Sequence, residues 1–436
     1  MTALATTPPE PGPAATPKST PEPAPCPARP DVVTLGESMV TFLPTRPGPL
    51  AEVPSFVRGI GGAESNVACG LATAGHRVVW VSRVGADGFG RYLVDTVAGY
   101  GVDTSHVRHD PHRPTGVYFR TAGERALMPQ AAAPVGPGEE GESTSGTAEV
   151  LYYRAGSAAS AMARGTVPVD VLRSGRVLHL TGITAALSLG CRTLLRDLTG
   201  LTGPPDLTDR PDAADPAHRP LLSFDVNHRA GLWPPDDDPG TVLRALARRC
   251  DLVFVGDDEA YALWGVTGGP AAVRAVLPEP RTLVVKQGAT GVTVFHRRAD
   301  PATSHRLGAP HPAPPGRAHT SQDTVTFVPA LRVTVVAAVG AGDAFAAGFL
   351  SATLRGLPVR DRARHGHLMA AAVLTAPGDL AAPPDRAHAD RLAALDDAAW
   401  SALTLAPGWT DTASGAASPG GAPGPAGGTG REGGAA

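Results

Sequence analysis

Short runs of β-branched residues alternate with helical patterns through most of this chain, and this alternation is the feature that most constrains its fold. The predicted strands are residues 32–42, 78–84, 117–120, 150–154, 177–180, 221–226, 252–255, 282–285 and 292–296. The predicted helices are residues 63–74, 90–100, 242–248, 257–264, 343–355 and 359–376. Such alternation predicts an α/β fold, with a mainly parallel sheet covered by helices on both faces. Ligands of such sheets bind beyond the carboxyl ends of the strands.

Two of the predicted strands depart from the alternation. Residues 117–120 and 150–154 have no clear helical segment between them. We expect this pair to form a small antiparallel β lid over the edge of the cleft where ligands bind.

Composition divides the chain into one folded domain, residues 31–405, with two tails. Residues 1–30 are rich in Pro, Ala and Thr, and residues 406–436 in Gly, Ala, Pro and Ser, so both tails are predicted to be disordered. Segments near 131–149, 203–219 and 299–324 have the same character and fall between readable elements. They are predicted to be surface insertions, which add little closure entropy.

The bulk properties exclude several classes of protein. The formal net charge is −3, so no broad basic field indicates nucleic acid or an anionic membrane as a partner. The N-terminus carries prolines instead of a basic and then apolar leader, and the most apolar stretch is interrupted by Gly340, Gly342 and Asp343. The four cysteines form no C-x-x-C spacing, and His365 and His367 are two residues apart and do not share a helix face. We therefore expect a cytoplasmic protein without a disulfide framework or a zinc site.

Lysine is nearly absent from the chain. Only Lys18 and Lys286 occur, against 36 arginines, in a sequence that is also rich in Ala, Pro and Gly. This skew indicates the composition of the genome rather than a function.

The strongest local motif is Gly340-Ala341-Gly342-Asp343, between an apolar run at 331–336, predicted as a strand, and an Ala/Phe-rich helical pattern. Glycines at a strand-to-helix turn let backbone N–H groups approach an anion, and the helix dipole adds a positive end. A carboxylate there can accept a proton from an attacking hydroxyl. The alternative interpretation is an ordinary glycine turn with Asp343 as the helix N-cap.

Three further motifs place polar groups at element ends. Gly61-Gly62 opens a helix with Asn66 one turn inside, where it suits sugar hydroxyls or simply occupies a polar face. Residues 225–229 follow an apolar strand, and they are either polar groups that face the ligand cleft or an ordinary polar loop. Residues 286–291 form either a nucleotide cradle or a plain hairpin turn. There is no G-x-x-x-x-G-K-[ST] P-loop, and Phe345 occupies the place of the third glycine of a dinucleotide fingerprint.

These four motifs, in this order, resemble the PfkB/ribokinase family of carbohydrate kinases, from about residue 32 to 395. The Gly-Gly element with residues 84–90 and the Gly340–Asp343 element match two family signatures. Residues 152–158, 179–184 and 225–229 are most similar to the 2-keto-3-deoxygluconate kinase branch. The resemblance implies a ribokinase-like fold, ATP-dependent phosphorylation of a sugar hydroxyl, ATP and Mg²⁺ as cofactors, a small sugar or sugar acid as substrate, and a homo-oligomer.

The resemblance also implies residue roles. It makes Asp343 the catalytic base, beside an anion hole formed by Gly340, Ala341 and Gly342. The residues implied around the sugar acid are Gly62, Asn66, Tyr118, Tyr152, Arg154, Arg229 and Asp379. Those implied around ATP are Asn227, Gly256, Lys286, Gln287, Gly288, Ala289, Thr290, Gly291, Val292 and His367. Glu259 is implied near the metal.

The chain departs from the family pattern at three positions. Ala337 stands where relatives commonly have Asp, so we expect weak or no activation by potassium. Gly256 replaces the Asn of the magnesium-associated N-x-x-E element, although Glu259 remains, and His367 aligns where a polar residue often contacts adenine. Two alternatives stay open: a fructokinase or ribokinase acting on a neutral sugar, and a non-catalytic sensor, for which a base at Asp343 would have no use.

Overall fold

The structure is a computed structural model, and it describes residues 29–46, 48–120, 150–200, 219–297 and 323–411. The predicted insertions lie outside these residues, apart from Arg219, Asp323 and Thr324 at their margins. Most of both predicted tails also lies outside them, so the disorder predicted for the tails and insertions stays a prediction.

Within the described residues, the largest sheet has nine strands, in the order β13-β12-β11-β10-β9-β8-β1-β4-β5. The strands are β1 (Val32–Leu35), β4 (Val78–Gly85), β5 (Val107–Asp110), β8 (Val177–Thr181), β9 (Leu221–Asp225), β10 (Leu252–Gly256), β11 (Thr282–Lys286), β12 (Gly291–Arg297) and β13 (Asp323–Pro329). All neighbours pair in parallel except β11–β12 and β12–β13. The mainly parallel α/β fold is confirmed.

Helices cover both faces of this sheet, as predicted. The helices are α1 (Ala63–Thr73), α2 (Gly88–Gly99), α3 (Val169–Ser174), α4 (Gly182–Leu187), α5 (Leu189–Leu198), α6 (Pro239–Ala247), α7 (Asp257–Trp264), α8 (Gly269–Val276), α9 (Ala341–Leu354), α10 (Val359–Leu374), α11 (Arg386–Ala393) and α12 (Asp397–Ala402). Successive strand residues point to opposite faces, so Val32 packs in the core with α1, α2, α9 and α10, and Val33 in the core with α3 to α8. This two-sided burial explains why the central strands read as continuous apolar runs.

A second sheet of four strands forms the predicted lid, in the order β3-β2-β6-β7. Its strands are β2 (Met39–Pro44), β3 (Phe56–Gly61), β6 (Val117–Arg120) and β7 (Val150–Tyr153). The predicted antiparallel pair is β6 with β7. The lid is larger than expected because β2 and β3 also belong to it.

The prediction of one continuous strand over residues 32–42 is wrong. The chain leaves the main sheet after β1, turns through Gly36-Glu37-Ser38, and enters the lid as β2. The turn needs glycine because a Cβ at position 36 would lie 2.0 Å from Cδ of the buried Glu64. The strands β3, β5 and β13 carried no clear sequence signal.

The prediction of a strand over residues 331–336 is also wrong for most of its length. Only β14 (Arg332–Val333) is extended and paired, and its partner is β15 (Thr404–Leu405) near the C-terminus. Val335 and Val336 are exposed. The glycine motif at 340–343 therefore follows an irregular segment rather than a strand of the main sheet.

The C-terminal residues that the structure describes run past the predicted boundary at 405. Trp409 packs against the core, with its ring 6.1 Å from that of His388 in α11, and its Nε1–H donates to Thr375 Oγ1 at 3.1 Å. None of the helices in the described ranges is both long and apolar enough to cross a bilayer.

Candidate active site

The glycine turn before α9 brings the main chain close to a second element. Gly340 has φ = +81° and is the N-cap of α9, and a Cβ there would lie 2.3 Å from the carbonyl oxygen of Asp379. The position therefore requires glycine for both its dihedral angle and its space. The turn leaves Gly342 exposed, and the first N–H groups of α9 have no partner within the helix.

Asp343 lies in the first turn of α9 and is half-buried. It does not cap the helix, because Gly340 is the N-cap and receives no side-chain hydrogen bond. Its Oδ2 instead accepts a hydrogen bond from Asn66 Nδ2 at 2.9 Å. The N-cap interpretation of Asp343 is wrong, and the two strongest sequence motifs meet at this contact.

Asn66 reaches Asp343 because α1 begins at the Gly62 turn. A Cβ at Gly62 would lie 2.3 Å from the carbonyl oxygen of Glu37, so the helix start packs tightly on the β1–β2 turn. The Oδ1 atom of Asn66 is buried and has no hydrogen-bond partner among the described residues. Since Nδ2 donates to Asp343, the free Oδ1 can accept a hydrogen bond from a hydroxyl of a substrate that lies next to that carboxylate.

The surroundings of Asp343 change its protonation. Burial raises the pKa of Asp343 to about 7. The hydrogen bond from Asn66 lowers this pKa, the Asp225 carboxylate raises it, and the Arg229 and Lys286 charges lower it. A carboxyl with a pKa near the operating pH suits general-base chemistry.

Asp225 and Lys286 form an ion pair across the carboxyl ends of β9 and β11. Lys286 Nζ donates to Oδ1 and Oδ2 of Asp225 at 3.0 and 2.9 Å. A Cβ built on Gly342 would lie 3.8 Å from Nζ, which puts the ammonium group beside the α9 turn. Burial alone would lower the pKa of Lys286, but the charges of Asp225, Glu259 and Asp343 raise it. The lysine is therefore cationic while Asp343 titrates.

Glu259 binds backbone on both sides. Its Oε2 accepts from Gly256 N at 2.7 Å, at the start of α7, and its Oε1 accepts from His228 N at 2.8 Å. Burial raises the pKa of Glu259, and the Lys286 charge opposes this. Glu259 thereby ties the loop after β9 to the start of α7.

Asn227 lies in that loop and is buried. With φ = +38°, it is the one non-glycine residue with positive φ in the described ranges. Such a conformation costs energy and is often found at functional sites.

Two side chains of the lid strand β6, Tyr118 and Arg120, converge on Asp379. Tyr118 Oη donates to Asp379 Oδ2 at 2.7 Å, and Arg120 Nη2 donates to Oδ1 at 2.7 Å. A Cβ at Gly61 would lie 2.2 Å from Tyr118 Oη, so this glycine makes room for the contact. Burial raises the pKa of Asp379, whereas Arg120 and Tyr118 lower it. Arg120 was missed from the sequence because its partner is 259 residues away.

Arg154 already has a carboxylate partner within the protein. Its Nη2 donates to Oε2 of Glu37, which is buried in the β1–β2 turn. Glu37 Oε1 accepts from Ser157 Oγ at 2.5 Å. The Nε of Arg154 is buried and has no partner in the described chain, and the Arg154 guanidinium lies 5.9 Å from the ring centre of Tyr152. Glu37 was not predicted, although its position directly after the first strand could have indicated it.

The remaining predicted residues occupy less central positions. Residues 287–290 form the turn of the β11–β12 hairpin, with Gly288–Thr290 as a short 3₁₀ turn, and Gly291 and Val292 are the first residues of β12. Arg229 is exposed, and its side chain makes one hydrogen bond, to the carbonyl of His228. His367 packs edge-on against Phe345, and burial lowers its pKa to about 4.

The structure thus brings two groups to the rim of the main sheet. One contains Asp343, Asn66, Asp225, Lys286 and Glu259, and the other joins the lid to Glu37 and Asp379. In the parts of the chain that the structure describes, no three His, Cys, Asp or Glu side chains cluster as metal ligands.

Comparison with known proteins shows the family to which this chain belongs. The family model for pfkB family carbohydrate kinases matches residues 29–133 and 140–386. A 2-dehydro-3-deoxygluconokinase of Bacillus subtilis is 32% identical over 358 residues, covering 82% of this chain and 93% of that protein. One from Thermoproteus tenax is 30% identical over 363 residues, covering 83% and 93%.

A solved structure gives the same result. The crystal structure of a PfkB protein from Polaromonas sp. JS666 superposes with a TM-score of 0.61 and 30% identity, covering 83% of this chain and 99% of that chain. The chain is a carbohydrate kinase of the pfkB family.

Proposed function

We propose that the protein transfers the terminal phosphoryl group of ATP to the terminal hydroxyl of 2-keto-3-deoxygluconate, with Asp343 as the general base. The observation that carries the proposal is the Asp343 carboxyl, whose pKa lies near 7 and which is hydrogen-bonded to Asn66 beside the exposed N-terminus of α9. Two relatives with at least 30% identity are named 2-dehydro-3-deoxygluconokinase, the same sugar acid.

The proposed reaction consists of one proton transfer and one phosphoryl transfer. Asp343 accepts the proton of the attacking hydroxyl as the new O–P bond forms and the bond from phosphorus to the leaving oxygen breaks. The backbone N–H groups of Gly340, Ala341 and Gly342 stabilise the charge on the transferring group. ADP then leaves with the electron pair of the broken bond. A non-catalytic sensor would gain nothing from a carboxyl with this pKa at this place.

We assign the remaining predicted residues to the two substrates. Gly62, Asn66, Tyr118, Tyr152 and Asp379 surround the acceptor, with Arg154 and Arg229 for its carboxylate. The loop and turn residues Asn227, Gly256 and 286–292, with His367, contact ATP. The free lone pairs of Glu259 suit a water of Mg²⁺, because this ion usually keeps several waters and few protein ligands.

The neutral-sugar alternative has one observation in its favour. Glu37 already neutralises Arg154, so a sugar without a carboxylate would leave no charge unmatched at that arginine. Arg229 is exposed and, among the described residues, has no acidic partner within ion-pair distance, which favours an acidic substrate instead. A charge-assisted hydrogen bond to a carboxylate is worth about 1.5–3 kcal/mol.

A coupled ADP-release assay with 2-keto-3-deoxygluconate, fructose and ribose tests the substrate. The sugar acid should have the highest kcat/KM, and Arg229→Ala should lower its kcat/KM by about 10- to 150-fold while changing the neutral sugars little. Arg108→Ala, at an exposed position on β5, is the matched control. If fructose or ribose is the best substrate, the neutral-sugar alternative replaces the proposal.

We also propose that the protein is a cytoplasmic homo-oligomer. Strand β7 lies at the edge of the lid, and its residues Leu151, Tyr152 and Tyr153 are exposed. An exposed edge strand with apolar side chains is a surface that proteins usually cover. Size-exclusion chromatography with light scattering tests the oligomeric state, and a monomer at micromolar concentration would contradict it.

A further inference from the structure

Lys286 combines an unusual residue type with a central position. The chain has 36 arginines and only two lysines. The other lysine, Lys18, lies outside the described residues. Every other basic side chain in the described residues is Arg or His. A lysine in this setting points to a role that the guanidinium group cannot perform.

The neighbours of Lys286 suggest what that role is. Its ammonium group carries three N–H donors, and within the described chain its hydrogen bonds go only to the two oxygens of Asp225. The side chain of Lys286 is 23% exposed, whereas that of Asp225 is 2% exposed. Asp225 therefore binds the ammonium group from the buried side, and the ammonium group can still donate a hydrogen bond toward the cleft.

The open side of the ammonium faces the α9 turn. A Cβ at Gly342 would lie 3.8 Å from Nζ, and Gly342 is one residue before Asp343. An arginine at 286 is longer, and its planar fork would take both oxygens of Asp225 in a bidentate pair. It would also fill the gap beside Gly342, where a compact ammonium leaves room for an anion.

We propose that Lys286 is a catalytic residue that donates a hydrogen bond to the transferring phosphoryl group, and that Asp225 positions it. The inference rests on the proposed function. Lys286 keeps its proton throughout: the acceptor hydroxyl gives its proton to Asp343, the O–P bond forms, and the leaving oxygen departs on ADP. The ammonium bridges Asp225 and a non-bridging phosphoryl oxygen and opposes the charge that accumulates there.

The test compares Lys286→Arg, which keeps the charge, with the double variant Lys286→Met/Asp225→Asn, which removes the ion pair without leaving a buried charge alone. Arg219→Lys, at an exposed ion pair with Asp251, is the control for the residue exchange. Both test variants should lose about 10²–10³ in kcat, the usual effect of one lost donor to a developing charge. The control should keep the wild-type kcat.

Binding measurements separate the transition state from the nucleotide. By calorimetry, both variants should bind ADP as the wild type does, but lose the tighter binding that the wild type shows for ADP with aluminium fluoride, Mg²⁺ and 2-keto-3-deoxygluconate. Wild-type kcat in Lys286→Arg, or a loss confined to the KM for ATP, would overturn the inference. A wild-type protein that is inactive with every sugar tested would overturn the proposed function itself, before any variant is made.

Discussion

The two sides of the cleft handle charge in opposite ways. On the lid side, two arginines each have an opposite partner: Arg120 pairs with Asp379, and Arg154 with Glu37. On the side of the α9 turn, three carboxyl groups, Asp225, Glu259 and Asp343, surround one ammonium group. The lid side is therefore built for a fixed geometry, and the other side holds an acid whose protonation can change.

The same difference decides how far each side could be read from the sequence. Asp225 and Lys286 lie at the carboxyl ends of parallel strands of the main sheet, so their meeting at one rim follows from the parallel α/β topology. The lid contacts join residues far apart, such as Tyr118 with Asp379, 261 residues away.

The largest expected effect is from Asp343→Asn. It should lower kcat by about 10²–10⁴, because a general base is lost while its shape is kept. ATP affinity should change little. Steady-state kinetics and calorimetry measure both quantities.

The same variant should be at least as stable as the wild type at pH 8. A carboxyl whose pKa is raised in the folded state binds its proton more tightly there, so folding stability falls as the pH rises from about 4 to 7. Removing the carboxylate removes this cost. Near-wild-type kcat, or a lower melting temperature at pH 8, would contradict the assignment.

The lid side should respond in the opposite sense. Asp379→Asn leaves Arg120 buried without a countercharge and should cost about 3–5 kcal/mol in the free energy of unfolding. The control is Glu279→Gln, which breaks an exposed pair with Arg248 and should cost at most about 1 kcal/mol. Urea denaturation of the three proteins gives the comparison. Equal costs for the two variants would show that the lid pair has no special structural weight.

The pairing of Glu37 with Arg154 gives a smaller effect, on selectivity. Glu37→Gln removes the charge and keeps one oxygen, which can accept from Arg154 while the new amide N–H donates to the hydroxyl oxygen of Ser157. With its charge no longer cancelled, Arg154 should favour a sugar acid over a neutral sugar by about fivefold in kcat/KM, as expected for about 1 kcal/mol. An unchanged ratio would mean that Arg154 does not sense the substrate's charge.

The sequence could predict the fold class and the lid hairpin, because each depends on a local pattern or a topological rule, and the family resemblance implied that Asp343 and Asn66 belong to one site. It could not predict that residues 32–42 divide between two sheets, since an apolar run looks the same in either. The Gly36 turn depends on the carboxyl of Glu64, which reaches it from another element and is itself buried against Thr181 and Thr184. Contacts of this kind require the tertiary structure.

The smallest expected effect is on the pH dependence of kcat/KM. The wild-type rate should rise through about pH 7, as Asp343 loses its proton. Asp225 raises the pKa of Asp343, and it also neutralises Lys286, whose charge lowers that pKa. Asp225→Asn should therefore move the acid limb of the profile toward lower pH, for both of these reasons. An acid limb that stays in place would mean that the carboxyl seen in the profile is not coupled to Asp225, and the contrast between the two sides of the cleft would then rest on geometry alone.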